Sequence, residues 1–239
     1  MTQKIFNISA NAKTVKGDEK GYLTGIIYLA PHTLAGVKDS QGFLINLCKN
    51  ATKPCIKACL NTSGRGVFKT TQQARIKKTR WLFEGQEEFM MNLVKEIKSL
   101  IKRAKKNGMI PTVRLNGTSD LDWKEFKING NTIFELFPDI QFYDYTKRLE
   151  LFNNKPSNLH LTFSFSGDNK AACEMLLNKG HNVAAVVSSD DIKNYLLEDS
   201  HHFVDGDLDD LRFLDGQGKI VLLKAKGRAK KDNDGFLVA

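Results

Sequence analysis

The stretch Thr112-Val113-Arg114-Leu115-Asn116-Gly117-Thr118-Ser119-Asp120 sets the pattern that predicts the fold. It begins as a short β-branched and apolar strand and ends in a cluster of polar residues. An earlier apolar run, Tyr22–Leu29, predicts a buried first strand. Five later segments repeat the style of the quoted stretch: Ile140–Lys147, His160–Ser166, Asn182–Ser188, Phe203–Asp207 and Ile220–Lys226.

Helical patterns lie between several of these strands. The clearest has one apolar stripe from Phe89 to Ala104, with lysines largely off the stripe, and it ends at Asn107-Gly108. Strands that alternate with helices predict parallel β/α units. We therefore expect an α/β protein, a full or partial (β/α) barrel formed by a single domain over residues 1–239, with a doubly wound open sheet as the alternative.

Three of the four cysteines follow the first strand within the loop 30–69. Cys48, Cys55 and Cys59 have the spacing C-x6-C-x3-C. A disulfide would leave one thiol over, whereas iron–sulfur clusters are held by several thiolates, so the pattern favours a cluster such as [4Fe-4S]. Structural zinc with His32 or Cys173 as fourth ligand is one alternative, although the six-residue gap is wide for zinc. Three unrelated thiols are the other.

Polar side chains collect where the predicted strands end. In α/β proteins ligands bind at the carboxyl ends of the strands, and the cysteine loop opens at the same side. The predicted catalytic residues are Asp120, Asp144, Lys147 and Asp205, and the predicted cofactor-binding residues are Asn116, Gly117, Ser119, Ser164 and Lys224.

Simpler roles compete at several of these positions. Asp120 is also placed as the N-cap of a helix before Trp123. Asp205-Gly206-Asp207 is typical of a turn capped by its own side chains. Cys173, on an apolar helical stripe, suits a small core residue.

The charge balance favours polyanionic partners. The chain has 36 Lys and Arg against 27 Asp and Glu, a formal net charge of +9 and a pI of about 9.3. Basic residues gather at 95–106, where a solvated helix face competes with a nucleic-acid patch, and at 224–231, where a solvated tail competes with phosphate contacts. The net charge makes nucleic acid the partner that we expect. No apolar run approaches the roughly 20 residues of a membrane span, and the first residues lack the apolar core of a signal peptide. We therefore expect no membrane contact and, given the odd cysteine pattern, a reducing cytoplasm.

Several motifs carry a resemblance over nearly the whole chain: Ser9–Thr14, Cys48–Thr62, Arg114–Asp120, Gln141–Lys147, His160–Ser164, Asp205–Asp207, Asp210–Phe213 and Leu223–Gly227. On these motifs the chain resembles a family of bacteriophage proteins known by a gene-product number, eighty-eight. The resemblance implies a phage origin, and with it the cytoplasm of the infected host as the compartment, and assigns no activity.

The chain also resembles, more loosely, the radical S-adenosylmethionine (SAM) enzymes. These carry three cysteines in the loop after the first strand of a partial barrel, followed by a glycine-containing acidic segment at the end of the second. The resemblance implies that Cys48, Cys55 and Cys59 hold a [4Fe-4S] cluster with SAM at its open iron, near Gly117 and Asp120. The spacing departs from the usual C-x3-C-x2-C of those enzymes.

We therefore expect a radical-SAM-like phage enzyme whose unknown substrate is a nucleic acid or nucleotide. Two other classes compete with this interpretation. A divalent-metal nuclease or phosphoesterase would use Asp120, Asp144, Asp205 and Asp207. A nucleic-acid-binding phage protein would hold structural zinc through the cysteines.

Overall fold

The computed structural model describes residues 4–9 and 12–238 and has a mixed α/β fold. Its strands, in chain order, are β1 (Phe6–Ile8), β2 (Tyr22–Ile27), β3 (Ile110–Arg114), β4 (Lys127–Ile128), β5 (Asn131–Thr132), β6 (Gln141–Thr146), β7 (Leu159–Ser164), β8 (Asn182–Val187), β9 (Phe203–Asp205), β10 (Ile220–Lys224) and β11 (Leu237–Val238). Its α-helices are α1 (Ala12–Glu19), α2 (Lys53–Lys57), α3 (Lys69–Glu84), α4 (Gln86–Lys106), α5 (Ile133–Leu136), α6 (Lys170–Asn178) and α7 (Asp190–Asp199).

Contacts divide the chain into two compact units. The first comprises the described residues up to Lys49, Phe68–Asp144 and Lys155–His160. The second comprises Asn50–Val67, Tyr145–Asn154 and the described residues from Leu161 onward. The divisions fall inside β6 and β7, and the cysteine segment is divided between Cys48 and the other two cysteines. The expectation of a single domain stays a prediction.

The strands of the first unit follow the order β1-β2-β3-β6. β2 is parallel to β3 and β3 to β6, while β1 runs antiparallel to β2. The predicted helix before β3 is confirmed as α4, whose apolar stripe is buried at Phe89, Leu93 and Ile97 and whose end is capped at Asn107. Its lysines lie on the exposed side.

Strand β1 lies at the edge of the first unit's strands, beside β2, and two charged side chains hold it. Glu96 accepts the backbone N–H groups of Ile5 and Phe6 at 2.7 and 2.8 Å. Lys78 Nζ donates to the Ile5 carbonyl at 2.5 Å. Burial lowers the pKa of Lys78 to about 8, against the opposing effect of Glu96. Residues 10 and 11 of the Ser9–Thr14 motif lie outside the described residues.

The strands of the second unit follow the order β7-β8-β10-β9, all parallel, with β11 added alongside β8. Cys173 is buried against Phe163, Leu176 and Val183, so its predicted place in the core is confirmed. Burial in this apolar setting raises the pKa of the Cys173 thiol to about 11.

The α/β class and the seven predicted strands are confirmed, but a closed barrel is wrong. In the first unit β1 covers one side of β2 and has no further neighbour among the described strands. In the second unit β9 pairs only with β10 within the described chain. A closed barrel has no such edge strands, so the mostly parallel arrangement agrees with the alternative of an open sheet.

Candidate functional site

The turn after β3 is organised by the side chain of Asn116, which is buried. Its carboxamide oxygen accepts hydrogen bonds from Ser119 Oγ, Leu121 N and Trp123 Nε1 at 2.8 to 3.1 Å. Its amide nitrogen donates to the Leu121 carbonyl at 3.0 Å and to Asp144 Oδ2 at 3.3 Å. The side chain thus fixes the turn that presents Ser119 and Asp120. Its predicted contact with a cofactor stays a prediction.

Asp144, in β6, accepts hydrogen bonds that hold this turn. Its Oδ1 accepts the backbone N–H of Asn116 at 2.8 Å, and Arg114 Nε lies 3.8 Å from the same oxygen. The pKa of the Asp144 carboxyl is raised to about 7, chiefly by burial, and the Asp120 carboxylate contributes in the same direction. Arg114 and the backbone N–H groups act in the opposite direction. Asp144 therefore changes its charge near neutral pH.

Gly117 and Thr118 attach the turn to the end of β2. Gly117 N donates to the Ile27 carbonyl at 2.9 Å, and Thr118 Oγ1 donates to the Leu29 carbonyl at 2.6 Å. A Cβ added at Gly117 would lie 2.7 Å from the Ile27 carbonyl oxygen and from the Tyr28 ring. The close approach of two backbones explains the glycine here.

Cys48 lies beside this turn, just beyond the carboxyl ends of β2 and β3. Asp120 N donates to the Leu47 carbonyl at 2.8 Å, and the Cys48 thiol is 3.9 Å from the Thr118 carbonyl. Cys48 Sγ also accepts the backbone N–H of His32 at 3.5 Å. His32 has a left-handed backbone, with φ of 41°, and burial lowers the pKa of its imidazole. The first unit thus brings Cys48, Gly117, Ser119 and Asp120 together.

Cys55 and Cys59 lie in the second unit, on and after α2. Thr52 caps α2: its hydroxyl accepts Cys55 N at 3.2 Å and donates to the Ser166 carbonyl at 3.3 Å, which lies after β7. Ala58 is buried against Ala225 and Ala229, which follow β10. Both cysteines are half-buried and free of disulfides, as is Cys48. This part of the cysteine segment is therefore also held at the carboxyl ends of parallel strands.

A buried lysine pairs with two carboxylates at the end of β9 and just after it. Lys193 Nζ, on α7, contacts Asp205 Oδ1 and lies 3.2 Å from Asp207 Oδ2. Burial lowers the pKa of Lys193, but the hydrogen bonds to the two carboxylates more than offset this, so its pKa is raised. Asp207 also accepts Lys224 N at 2.7 Å and pairs with Lys226 Nζ at 3.0 Å. The capped turn expected at 205–207 is thus present, since Asp205 also accepts Asp207 N at 2.8 Å.

The remaining predicted site residues also lie in the second unit. Lys224 Nζ pairs with Asp190 and is half-exposed. Ser164 ends β7 and its carbonyl accepts Asn169 Nδ2 at 2.9 Å, and the Lys147 carbonyl accepts Asn50 Nδ2 at 3.1 Å. Their predicted roles stay predictions. The alternative of Asp120 as a helix N-cap is wrong, because Asp122 caps the short 3-10 helix at Trp123.

Two site residues were not predicted. Arg114 lies within the quoted strand and faces Asp144, and the signal for it was a cation in an otherwise apolar strand. Lys193 lies in α7, which was not predicted. Ser189 followed by Asp190 and Asp191 is a helix start that would have revealed α7.

Within 4–9 and 12–238, no three His, Cys, Asp or Glu side chains are grouped so that they could hold a metal ion. Over the same residues, no helix is both long and apolar enough to span a membrane.

The chain was compared with known proteins and structures. No curated protein and no solved structure matches it. A family model described as Gene product 88 matches residues 4–239 and confirms the phage gene-product family expected from the motifs. The similarity to radical SAM enzymes stays a prediction. Because the match extends over almost the whole sequence, the chain belongs to the gene product 88 family.

Proposed function

We propose that this phage protein is an iron–sulfur enzyme of the radical SAM type, whose Cys48, Cys55 and Cys59 bind a [4Fe-4S] cluster. The observation that carries the proposal is the setting of Cys48. Its sulfur accepts a backbone N–H and lies beside the Gly117–Asp120 turn at the ends of two parallel strands. Ligands of α/β proteins bind at this end of the strands.

The chemistry of the donor set fits a cluster. The three thiols are half-buried and free of disulfides, whereas Cys173 is enclosed by apolar side chains. Clusters are held by cysteine thiolates and tuned by hydrogen bonds to their sulfurs, and the His32 N–H supplies such a bond to Cys48. Metal binding often completes the ordering of its own ligands, so a preformed trio of thiols is not required.

The residues in and next to the turn beside Cys48 would hold a bound ligand in place, and one of them would exchange a proton with it. A cluster of this type, when bound, supplies an electron to SAM. Asn116 and Asp144 hold the turn rigid, and Gly117 lets it lie against β2. With a pKa of about 7, Asp144 exchanges a proton near neutral pH. The proposal also assigns catalytic roles to Asp120, Lys147 and Asp205, and cofactor contacts to Asn116, Gly117, Ser119, Ser164 and Lys224. Nucleic acid or nucleotide is the proposed substrate class.

A divalent-metal nuclease has less support. Asp205 and Asp207 are already neutralised by Lys193, and Asp207 by Lys226 as well. A carboxylate that ligates Mg²⁺ or Mn²⁺ would have to leave these lysines. Asp144 is held by Asn116 and by burial that favours its neutral form.

The test is the metal content of protein purified without oxygen. We expect iron and acid-labile sulfide in the parent and their loss in each of Cys48→Ala, Cys55→Ala and Cys59→Ala. Cys173→Ala is the matched control and keeps both. Equal iron in all five proteins, or no iron in any, would overturn the proposal. Zinc in place of iron would support the zinc-containing nucleic-acid-binding alternative.

A further inference from the structure

The strongest uncompensated charge of the second unit lies next to Cys55 and Cys59. Residues 53–67 and 224–234 together carry eight Lys and Arg side chains and two aspartates. Both aspartates already have partners within the second unit. Asp234 pairs with Lys57 at 2.7 Å, and Asp232 accepts the backbone N–H groups of Phe236 and Leu237. Positive charge therefore predominates on this part of the surface.

The basic tract is packed rather than a loose tail. Gly227–Lys231 forms a 3-10 helix whose Ala229 is buried, together with Ala225, against Ala58 of the cysteine segment. Gly227 has a φ of 57°, and a Cβ there would lie 2.6 Å from Ser63 Cβ. The small residues bring the two backbones into contact, so the exposed cations of both segments are carried by one packed pair of segments.

Five of the cations are exposed, and within the described residues they form no ion pair. We call them the cationic face: Lys53, Arg65, Arg228, Lys230 and Lys231. Leaving five like charges unneutralised on two packed segments costs stability through repulsion, which a bound anion would relieve. A single phosphate would engage only part of the face, so a repeating anion suits it better.

We infer that the cationic face binds a nucleic acid strand through its phosphodiester groups, beside Cys55 and Cys59. Lysine and arginine contacts to phosphates supply most of the sequence-independent affinity of such complexes. The inference deepens the proposed function and rests on it, because it names the substrate that the cysteine segment would meet. The face carries no sequence readout, so binding is expected to be tolerant of base sequence.

The test measures binding of a fluorescent single-stranded oligonucleotide of about 20 nucleotides as a function of salt. The test variant is Arg228→Ala, Lys230→Ala and Lys231→Ala combined. The control, Lys102→Ala, Lys105→Ala and Lys106→Ala combined, removes the same charge from the exposed side of α4. Each phosphate contact contributes roughly 0.7 to the slope of log K against log salt for a single strand, so the test variant should lose about 2 units of slope and the control none.

The outcomes separate this inference from the proposed function. Iron and sulfide are measured on the same preparations. A parent that retains iron but binds no oligonucleotide, or a test variant that keeps the parent's salt slope, overturns the inference alone. Binding that depends on the cationic face in protein without iron supports the surface and overturns the iron–sulfur proposal. Equal losses in both variants would assign binding to total charge and overturn the inference. Equal competition by polyglutamate or by anionic lipid vesicles, at matched charge, would also overturn it.

Discussion

The charge state of Asp144 offers the most direct test of the turn after β3. Replacing Asp144 by Asn keeps the size of the side chain and an oxygen for the Asn116 N–H, which is 2.8 Å away, while removing the titration. Asp139→Asn is a matched control, because Asp139 is exposed. The stability of the parent relative to Asp144→Asn should therefore depend on pH, and that of Asp139→Asn should follow the parent.

The sign follows from the raised pKa. Between the ordinary pKa of 3.8 and the folded pKa of about 7, the unfolded chain has released a proton that the folded protein still holds. Stability linked to Asp144 is therefore fully present below 3.8 and is lost as the pH rises toward 7. From pH 5 to pH 8 the two pKa values give a loss of roughly 2.5 kcal/mol for the parent relative to Asp144→Asn.

The assay is urea unfolding at pH 5, 6.5 and 8, from which the free energy of unfolding is obtained at each pH. The difference between parent and Asp144→Asn isolates Asp144 from other titrating groups. A difference constant to within about 0.5 kcal/mol would show that Asp144 is ionised throughout, and would refute the assignment of a proton to it near neutral pH.

Three further substitutions test other parts of the structure. Lys193→Met should lower the free energy of unfolding by roughly 3 kcal/mol. This is near the lower end for a broken buried ion pair, because the carboxylates of Asp205 and Asp207 stay partly exposed. A melting temperature equal to the parent's would contradict this. Gly117→Ala forces a Cβ against the end of β2 and should lower the free energy of unfolding in urea by about 1 to 3 kcal/mol. The control Ser99→Ala, on the exposed side of α4, should leave that free energy nearly unchanged. Equal effects of the two substitutions would be evidence against the close approach of the backbones at Gly117. Lys78 has a lowered pKa in the folded protein, so the unfolded chain binds the proton more tightly. The free energy of unfolding of the parent, relative to that of Lys78→Met, should therefore rise by about 2 kcal/mol between pH 8 and pH 10. A pH-independent difference would mean that the buried ammonium keeps its ordinary pKa.

The strands were predictable because buried parallel strands are apolar on both faces and stand out as short continuous runs. The α4 stripe was predictable for a similar reason, since Phe89, Leu93 and Ile97 repeat at helical spacing. Helix α7 was missed because its apolar residues are few and at most half-buried, while its one buried residue is Lys193. The open form of the sheet was not predictable either, because it depends on which edges pair rather than on local pattern.

The sequence predicted which residues of the site lie close together, but it did not predict the hydrogen bonds that they form. The rule that strand ends meet at one edge correctly associated Asn116, Ser119 and Asp120 with Asp144. It could not show that Asn116 would use its whole carboxamide inside the turn. Nor could it show that Lys193 of α7 would form ion pairs with Asp205 and Asp207, because pairing between distant residues is not visible in the spacing of the sequence.

The attachment of β1 has a consequence for how the chain is made. Ile5 and Phe6 are synthesised 73 to 91 residues before Lys78 and Glu96, whose side chains hold their backbone groups from two later helices. At about 5 to 20 residues per second, Glu96 follows β1 by roughly 5 to 20 seconds. Until then the backbone groups of Ile5 and Phe6 that bond Lys78 and Glu96 lack these partners, although β2 is already present, and unpaired strand edges invite association with other chains. Translation speed over the region that encodes α3 and α4 would then set how long each new molecule is exposed to misassembly.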